Sequence, residues 1–130
     1  MSKGYLLDTH TWLWWHTRPE CLSERVRKII TDPENRVDFS AASAWEIAIK
    51  MSIGKLRLPD DPERYVPAQL AVEGFTILPV ALAHALRVSS LPPHHPDPFD
   101  RLLIAQAQCE ELTLLSSDGR LRMYDVPLVW

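Results

Sequence analysis

The chain has 130 residues, enough for one ordinary domain with its own core and too few for two. Hydrophobic residues make up 46% and charged residues 24%, which excludes a disordered or fibrous chain. The net charge of −3, from 14 Lys+Arg against 17 Asp+Glu, argues weakly against a nucleic-acid partner, because nucleic-acid binders are usually basic.

The longest apolar runs, such as Leu102-Leu103-Ile104-Ala105, are far too short to span a bilayer. No signal peptide is expected, since after Met1-Ser2-Lys3-Gly4 the run Tyr5-Leu6-Leu7 stops at Asp8. Cys21 and Cys109 are isolated, which suggests neither a disulfide framework nor a zinc site. The expectation is a soluble, cytoplasmic, reduced protein.

Tyr5-Leu6-Leu7 reads as a short buried strand, followed by a Trp-rich helix over 9–16 that Pro19 separates from the next element. Residues 23–30 form an amphipathic helix with Ser23 as candidate N-cap, and 37–40 are the second strand. Residues 41–51 read as a helix with Gly54 just beyond it. Pro59-Asp60-Asp61-Pro62 opens another helix running to about Glu73, Gly74 ends it, and 75–78 are the third strand. A helix over 81–88, a Pro/His-rich loop over 91–98 and a helix over 99–111 follow. Residues 112–115 are the fourth strand, 116–123 a turn or short helix, and 126–130 a possible edge strand. The fold class is therefore α/β: a central, mostly parallel sheet of four to five strands with helices on both faces, in one domain over 1–130. Ligands in such sheets bind beyond the carboxyl ends of the strands.

Acids gather at those ends. Asp8 follows the first strand and Asp118 the fourth, Glu46 lies early in the helix after strand two, and Asp100 opens the helix before strand four. Each also has a local reading. Asp8 suits an N-cap, Ser43-Ala44-Trp45-Glu46 a capping box, Asp97-Pro98-Phe99-Asp100 a helix start, and Asp118-Gly119 a turn. Taken together they raise a conflict. Carboxylates 5–6 Å apart repel by roughly 3 kcal/mol per pair at an effective dielectric near 20. A cap stabilises by only about 1 kcal/mol. A divalent cation removes the conflict, and an oxygen-only donor set suits Mg²⁺, with Mn²⁺ as a substitute.

The chain resembles the PIN-domain ribonucleases, specifically VapC-type toxins of type II toxin–antitoxin pairs. The segments that carry the likeness run in the family's order. They are Tyr5-Leu6-Leu7-Asp8-Thr9-His10; Ser40-Ala41-Ala42-Ser43-Ala44-Trp45-Glu46-Ile47-Ala48-Ile49-Lys50 with Gly54-Lys55-Leu56; His95-Pro96-Asp97-Pro98-Phe99-Asp100-Arg101-Leu102-Leu103-Ile104-Ala105-Gln106-Ala107; and Leu114-Leu115-Ser116-Ser117-Asp118. Pro96 stands where the family often has a basic residue. The resemblance implies a PIN-like three-layer fold, with Asp8, Glu46, Asp100 and Asp118 as catalytic, metal-holding acids. It also implies Mg²⁺-dependent endonucleolytic cleavage of RNA, a VapB-type antitoxin that wraps the toxin and masks its acids, and a homodimer.

RNA reaching an acidic pocket needs cations around it. Lys50, Arg101, Arg120 and Arg122 are the candidates for phosphate contacts, with a solvated face as the alternative. Thr9, Ser116 and Ser117 are candidates to hydrogen-bond a carboxylate or phosphate. His10, His94 and His95 suit structural or positioning roles. Trp12, Trp14, Trp15 and Trp45 offer stacking surfaces, although most are expected in a core or interface. Met51, Ile53, Leu56 and Leu58, alternating with Lys55 and Arg57, suit the lip of a groove. The alternatives are a magnesium phosphatase or phosphotransferase with Asp8 as nucleophile, and a non-catalytic PIN binding module. Position 10 is His where haloacid-dehalogenase-like chemistry wants a second Asp, and a decayed module would have lost some of the four acids.

Overall fold

Short apolar strands between helices assemble here into one five-stranded parallel sheet in a computed structural model that describes residues 4–130. Met1, Ser2 and Lys3, at the head of the stretch judged above for a signal peptide, lie outside the described residues. The strands are β1 (Tyr5–Leu7), β2 (Val37–Ser40), β3 (Thr76–Leu78), β4 (Thr113–Leu115) and β5 (Leu128–Val129). The helices are α1 (Thr9–Thr17), α2 (Glu24–Thr31), α3 (Ala41–Ser52), α4 (Pro62–Glu73), α5 (Leu82–Arg87) and α6 (Pro98–Glu110). The order in the sheet is β3-β2-β1-β4-β5, with Leu7 beside both Phe39 and Leu115. The chain steps outward from β1 to β3 and then returns to β1's other side. The order therefore reverses between β1 and β4, the place where such sheets open a crevice.

Alternation along the strands builds two cores. Leu6 and Leu114 face one side, against Leu103, Ile104 and Ala107 of α6. Leu7, Phe39 and Leu115 face the other, against Trp12 and Leu13 of α1, Val26 and Ile30 of α2, and Val66 and Leu70 of α4. Trp12 is fully buried, 5.0 Å from the Phe39 ring centroid, and its indole donates to Glu73 Oε1 at 3.1 Å. It is a core residue, not a stacking surface. Helix α3 contributes Ala42 to one core and Ile47 to the other, so it closes the edge between them.

Local chemistry sets the ends. Ser23 caps α2 by accepting from the Val26 N–H at 3.1 Å, as its position in the sequence suggests. Gly74 ends α4 at φ 71°, which a side chain would strain. The proposed capping box at Ser43 and Glu46 does not form. Ser40, at the end of β2, reaches the Ala42 N–H first at 3.0 Å, so the helix begins three residues earlier than a Ser43 cap requires. Ser43 and Glu46 are then interior helical positions whose side chains are released for tertiary contacts.

A buried polar thread ties the layers together. The fully buried Gln106 of α6 accepts from the Ser40 hydroxyl at 2.5 Å and donates to the Pro79 carbonyl at 3.2 Å. Gln106→Leu should orphan both groups and destabilise the protein by about 1–3 kcal/mol. Urea unfolding checks this, and an unchanged midpoint would show that the thread contributes nothing.

Candidate active site

Asp8 is the N-cap of α1 and sits directly on the end of the central strand. Its Oδ1 accepts from the Thr11 N–H at 2.8 Å and lies 2.5 Å from the Thr11 hydroxyl, and the Ser116 hydroxyl donates to the same carboxylate. Burial pushes its pKa up, while the Ser116 and Thr11 hydrogen bonds oppose the rise. Capping and site-building are here one geometry: the turn that satisfies the helix also aims the carboxylate.

Asp118 caps the short 3-10 turn Gly119–Met123 by accepting from the Arg120 N–H at 3.0 Å. The Arg120 guanidinium grips it at 2.9 and 3.2 Å and holds its pKa well below the usual carboxylate range, helped by His95. Asp100 is the third residue of α6, whose N-cap is Asp97, accepting from the Phe99 N–H at 2.8 Å. Burial, then the neighbouring charges of Asp97 and Asp8, push Asp100 up to about 7, with Glu46 adding to the rise and His95 opposing it. Asp8, Asp97, Asp100 and Asp118 line one cleft of about 380 Å³ with His10, Trp14, His95, Ser117 and Arg120. Glu46 lines the adjoining cleft with Lys50, His95 and Arg120. Its Oε2 accepts from Lys50 Nζ at 2.6 Å, while its buried Oε1 has no hydrogen-bond partner among the described residues.

His95 joins two of the acids. Its ring is buried, with Nε2 2.9 Å from Asp118 Oδ2 and 3.2 Å from Asp100 Oδ2. Nδ1 accepts from the Asp97 N–H at 3.0 Å, so the neutral ring carries its proton on Nε2, facing both carboxylates. His95, Asp100 and Asp118 offer ligand atoms within 4.8 Å of one another. The positioning role expected of His95 takes the form of a link between two acids, and the grip of Thr11 on Asp8 is the feature that reading the sequence missed. The Asp8-x-x-Thr11 spacing, an N-cap with a hydroxyl at the third helical position, carried the signal for it.

Two of the expected ligand contacts, Thr9 and Arg101, do not face the acids, whereas Ser116 does. Thr9 is buried and donates to Ser43 Oγ at 2.9 Å, fastening α1 to α3. Arg101 turns away and holds the loop before α6, donating to the carbonyls of Pro92, Val88 and Leu91 at 2.9–3.3 Å. Ser116 is buried and serves the acids themselves, accepting from the Asp118 N–H at 3.1 Å. Lys50 and Arg120 are where the sequence suggested, each already against an acid.

Comparison with known proteins accords with this frame. Residues 5–127 match the family described as PIN domain, and the chain belongs to that family. Over 72 residues it is 40% identical to ribonuclease VapC16 of Mycobacterium tuberculosis (strain ATCC 25618 / H37Rv). The matched stretch is 53% of this chain and 51% of VapC16, so the chain spans about half the length of this curated relative. Among solved structures, VapBC2 from Rickettsia felis, bound to a DNA fragment from its promoter, superposes with a TM-score of 0.72 at 14% identity, covering 97% of this chain and 98% of that one. FitAcB from Neisseria gonorrhoeae gives 0.64 at 22% identity over 97% and 96%, and a toxin–antitoxin complex from Klebsiella pneumoniae gives 0.63 at 16% over 98% and 97%. At such identities the structural likeness establishes the shared fold.

The raised pKa of Asp100 has a stability signature. The group ionises near 7 when folded and near 3.9 when unfolded. Its contribution is full below about pH 4 and is lost as the pH rises through about 7. In metal-free protein, Asp100→Asn should therefore be more stable than the parent above pH 7, by up to ~4 kcal/mol. That gap should shrink steadily as the pH falls toward 4. Urea titrations at pH 8, 6 and 4.5 check it, and a gap independent of pH would mean that Asp100 stays ionised throughout.

Proposed function

We propose that this chain is a metal-dependent endoribonuclease, acting in the cytoplasm as the toxin of a type II toxin–antitoxin pair. The observation that carries the reading is the gathering of Asp8, Asp100 and Asp118 at the sheet's switch point, with Glu46 beside them. Caps alone do not account for it, because burial, and after it the neighbouring charges of Asp97 and Asp8, push Asp100 up to about 7. The unpartnered, buried Oε1 of Glu46 and an oxygen-rich donor set fit a hard divalent cation, Mg²⁺ or Mn²⁺. The family match and the likeness to a protein named as a ribonuclease support the same chemistry.

In this reading Asp8 and Asp100 hold the metal, and Glu46 and Asp118 complete the site directly or through water. An ion held there would supply an activated water and neutralise charge on the scissile phosphate and leaving oxygen. The chain does the rest. Thr11 and Ser116 keep the Asp8 carboxylate aimed at the cleft. His95 holds Asp100 and Asp118 in register with each other. Arg120 and Lys50, at the cleft walls, meet the phosphate backbone of the RNA.

The partners follow from two surfaces. The acidic cleft suits a cationic side chain from a VapB-type antitoxin, an Arg whose planar fork matches carboxylates, which would pair with the acids and block metal or phosphate. The structural neighbours named VapBC2 and toxin–antitoxin complex support such a partner. Beside the cleft, Trp45 packs edge-on against Phe99 in an apolar groove with Ala85, Val88 and Leu102. Leu82 and Leu86 stand exposed on α5. An apolar face of this kind supports a homodimer.

Purified protein should cut RNA in Mg²⁺ or Mn²⁺ and stop in EDTA. Asp8→Asn should lower the rate by about a thousandfold or more with the fold intact. Cleavage mapping with circular dichroism checks both points. Undiminished turnover in excess chelator, or full activity of the variant, would contradict the reading. Expression alone should arrest a bacterial host, and the cognate antitoxin should restore growth; a host that grows normally despite soluble expression would count against the toxin role.

A further inference from the structure

The acidic cleft is not symmetric. On the Glu46 side the wall turns apolar, through Pro98 and Phe99 to the exposed Trp45. On the α1 side His10 and Trp14 line the acidic cleft and also a second one of about 360 Å³, shared with Leu13, Thr17, Arg18, Lys50, Lys55 and Leu56. Lys50 in turn lines both this groove and the cleft that holds Glu46. The groove is thus continuous with the site, and it carries cations and no acid.

Its cations are placed by the backbone. His10 and Trp14 lie one turn apart on α1, and Arg18 is its C-cap, where the backbone leaves the helix at φ −145° and ψ 67°; all three line the groove. Across the groove, α3 ends in a turn at Gly54, whose φ of 74° lets the Lys55 N–H bond back to the Lys50 carbonyl at 2.8 Å. That turn fixes Lys55 in the groove with the α1 side chains. Arg18 and Lys55 are exposed, and neither has an ion-pair partner among the described residues. Trp14 is half-buried, held edge-on by Trp130 with ring centroids 5.8 Å apart.

Resting on the nuclease reading above, we propose that the groove between α1 and the end of α3 is the binding track for single-stranded RNA on one side of the scissile phosphate. Arg18 and Lys55 contact phosphates, and Trp14 and His10 offer ring surface to a base. Unpaired cations flanking an aromatic side chain, leading into the catalytic cleft, are what a single strand needs for sequence-tolerant binding. The overall charge of −3 conceals this, because the acids are concentrated in the adjoining cleft. A groove of about 360 Å³ accommodates a short run of nucleotides, so the track favours looped or single-stranded substrate over a stacked duplex.

The test is fluorescence anisotropy with a labelled single-stranded RNA oligonucleotide, measured in Mg²⁺ against salt concentration. The full chain carrying Asp8→Asn serves as parent, so that nothing is cut. Adding Arg18→Gln and Lys55→Gln should weaken binding about tenfold or more and flatten the slope of log K against log[salt] by about 1.4, near 0.7 for each lost phosphate contact. Trp14→Leu, which keeps the apolar packing, should weaken binding about fivefold or more with the slope unchanged. In the cleaving protein, the two Gln substitutions should raise KM and leave kcat in place. Unchanged affinity and slope in the double variant overturn the track while leaving the nuclease reading standing. A parent that binds no RNA at all overturns both. Unchanged RNA binding with lost inhibition by an antitoxin would assign the groove to the protein partner and overturn the proposal.

Discussion

Like charges held together where they are hard to solvate are the constraint on which this structure turns. Asp8 is buried at the end of the central strand, and Asp100 is pushed to about 7 by burial and by Asp97, Asp8 and Glu46. Carboxylates about 5–6 Å apart repel by roughly 3 kcal/mol per pair, a large share of a small domain's stability of roughly 5–15 kcal/mol. The fold tolerates the group because each acid is individually anchored. Thr11 and Ser116 hold Asp8, Arg120 and His95 hold Asp118, and Lys50 neutralises Glu46. The anchors lie on α1, α3, the loop before α6 and the turn after β4, so the tertiary fold assembles the site.

That assembly depends on cores distant from the acids. Leu6 and Leu114 on one face, and Leu7, Phe39 and Leu115 on the other, lock β1 and β4 side by side and so bring Asp8 next to Ser116. The buried contact of Gln106 with Ser40 joins α6, which carries Asp100, to the cap of α3, which carries Glu46. Thr9 and Ser43 then join α3 to α1. Each acid-bearing helix is thereby tied to the next by a side chain that is itself remote from catalysis.

Much of this was legible in the sequence, for identifiable reasons. Strands β1 and β2 and helix α4 stand where their apolar runs, Pro and Gly boundaries placed them, because those signals are local. Asp97 and Ser23 do cap, as their positions implied. The capping box failed because two serines, Ser40 and Ser43, both suit the role, and only the end of the strand decides between them. Thr9 and Arg101 were misplaced because a side chain's partner across the fold leaves no mark on its neighbours in sequence. The Arg101 contacts lie at Pro92, Val88 and Leu91, in a loop with no periodicity. The linkage through His95 was hidden for the same reason: Asp118 lies 23 residues away.

The central claim is that the folded chain stores repulsion which a divalent cation relieves. Calorimetry of Mn²⁺ binding in buffers of different ionisation enthalpy tests it directly, because a metal that takes Asp100 must expel the proton held there. With Asp100 ionising near 7, binding at pH 7 should release about half a proton per ion, falling toward zero by pH 8.5. Binding with no buffer dependence at pH 7, or no binding at all, would contradict the account.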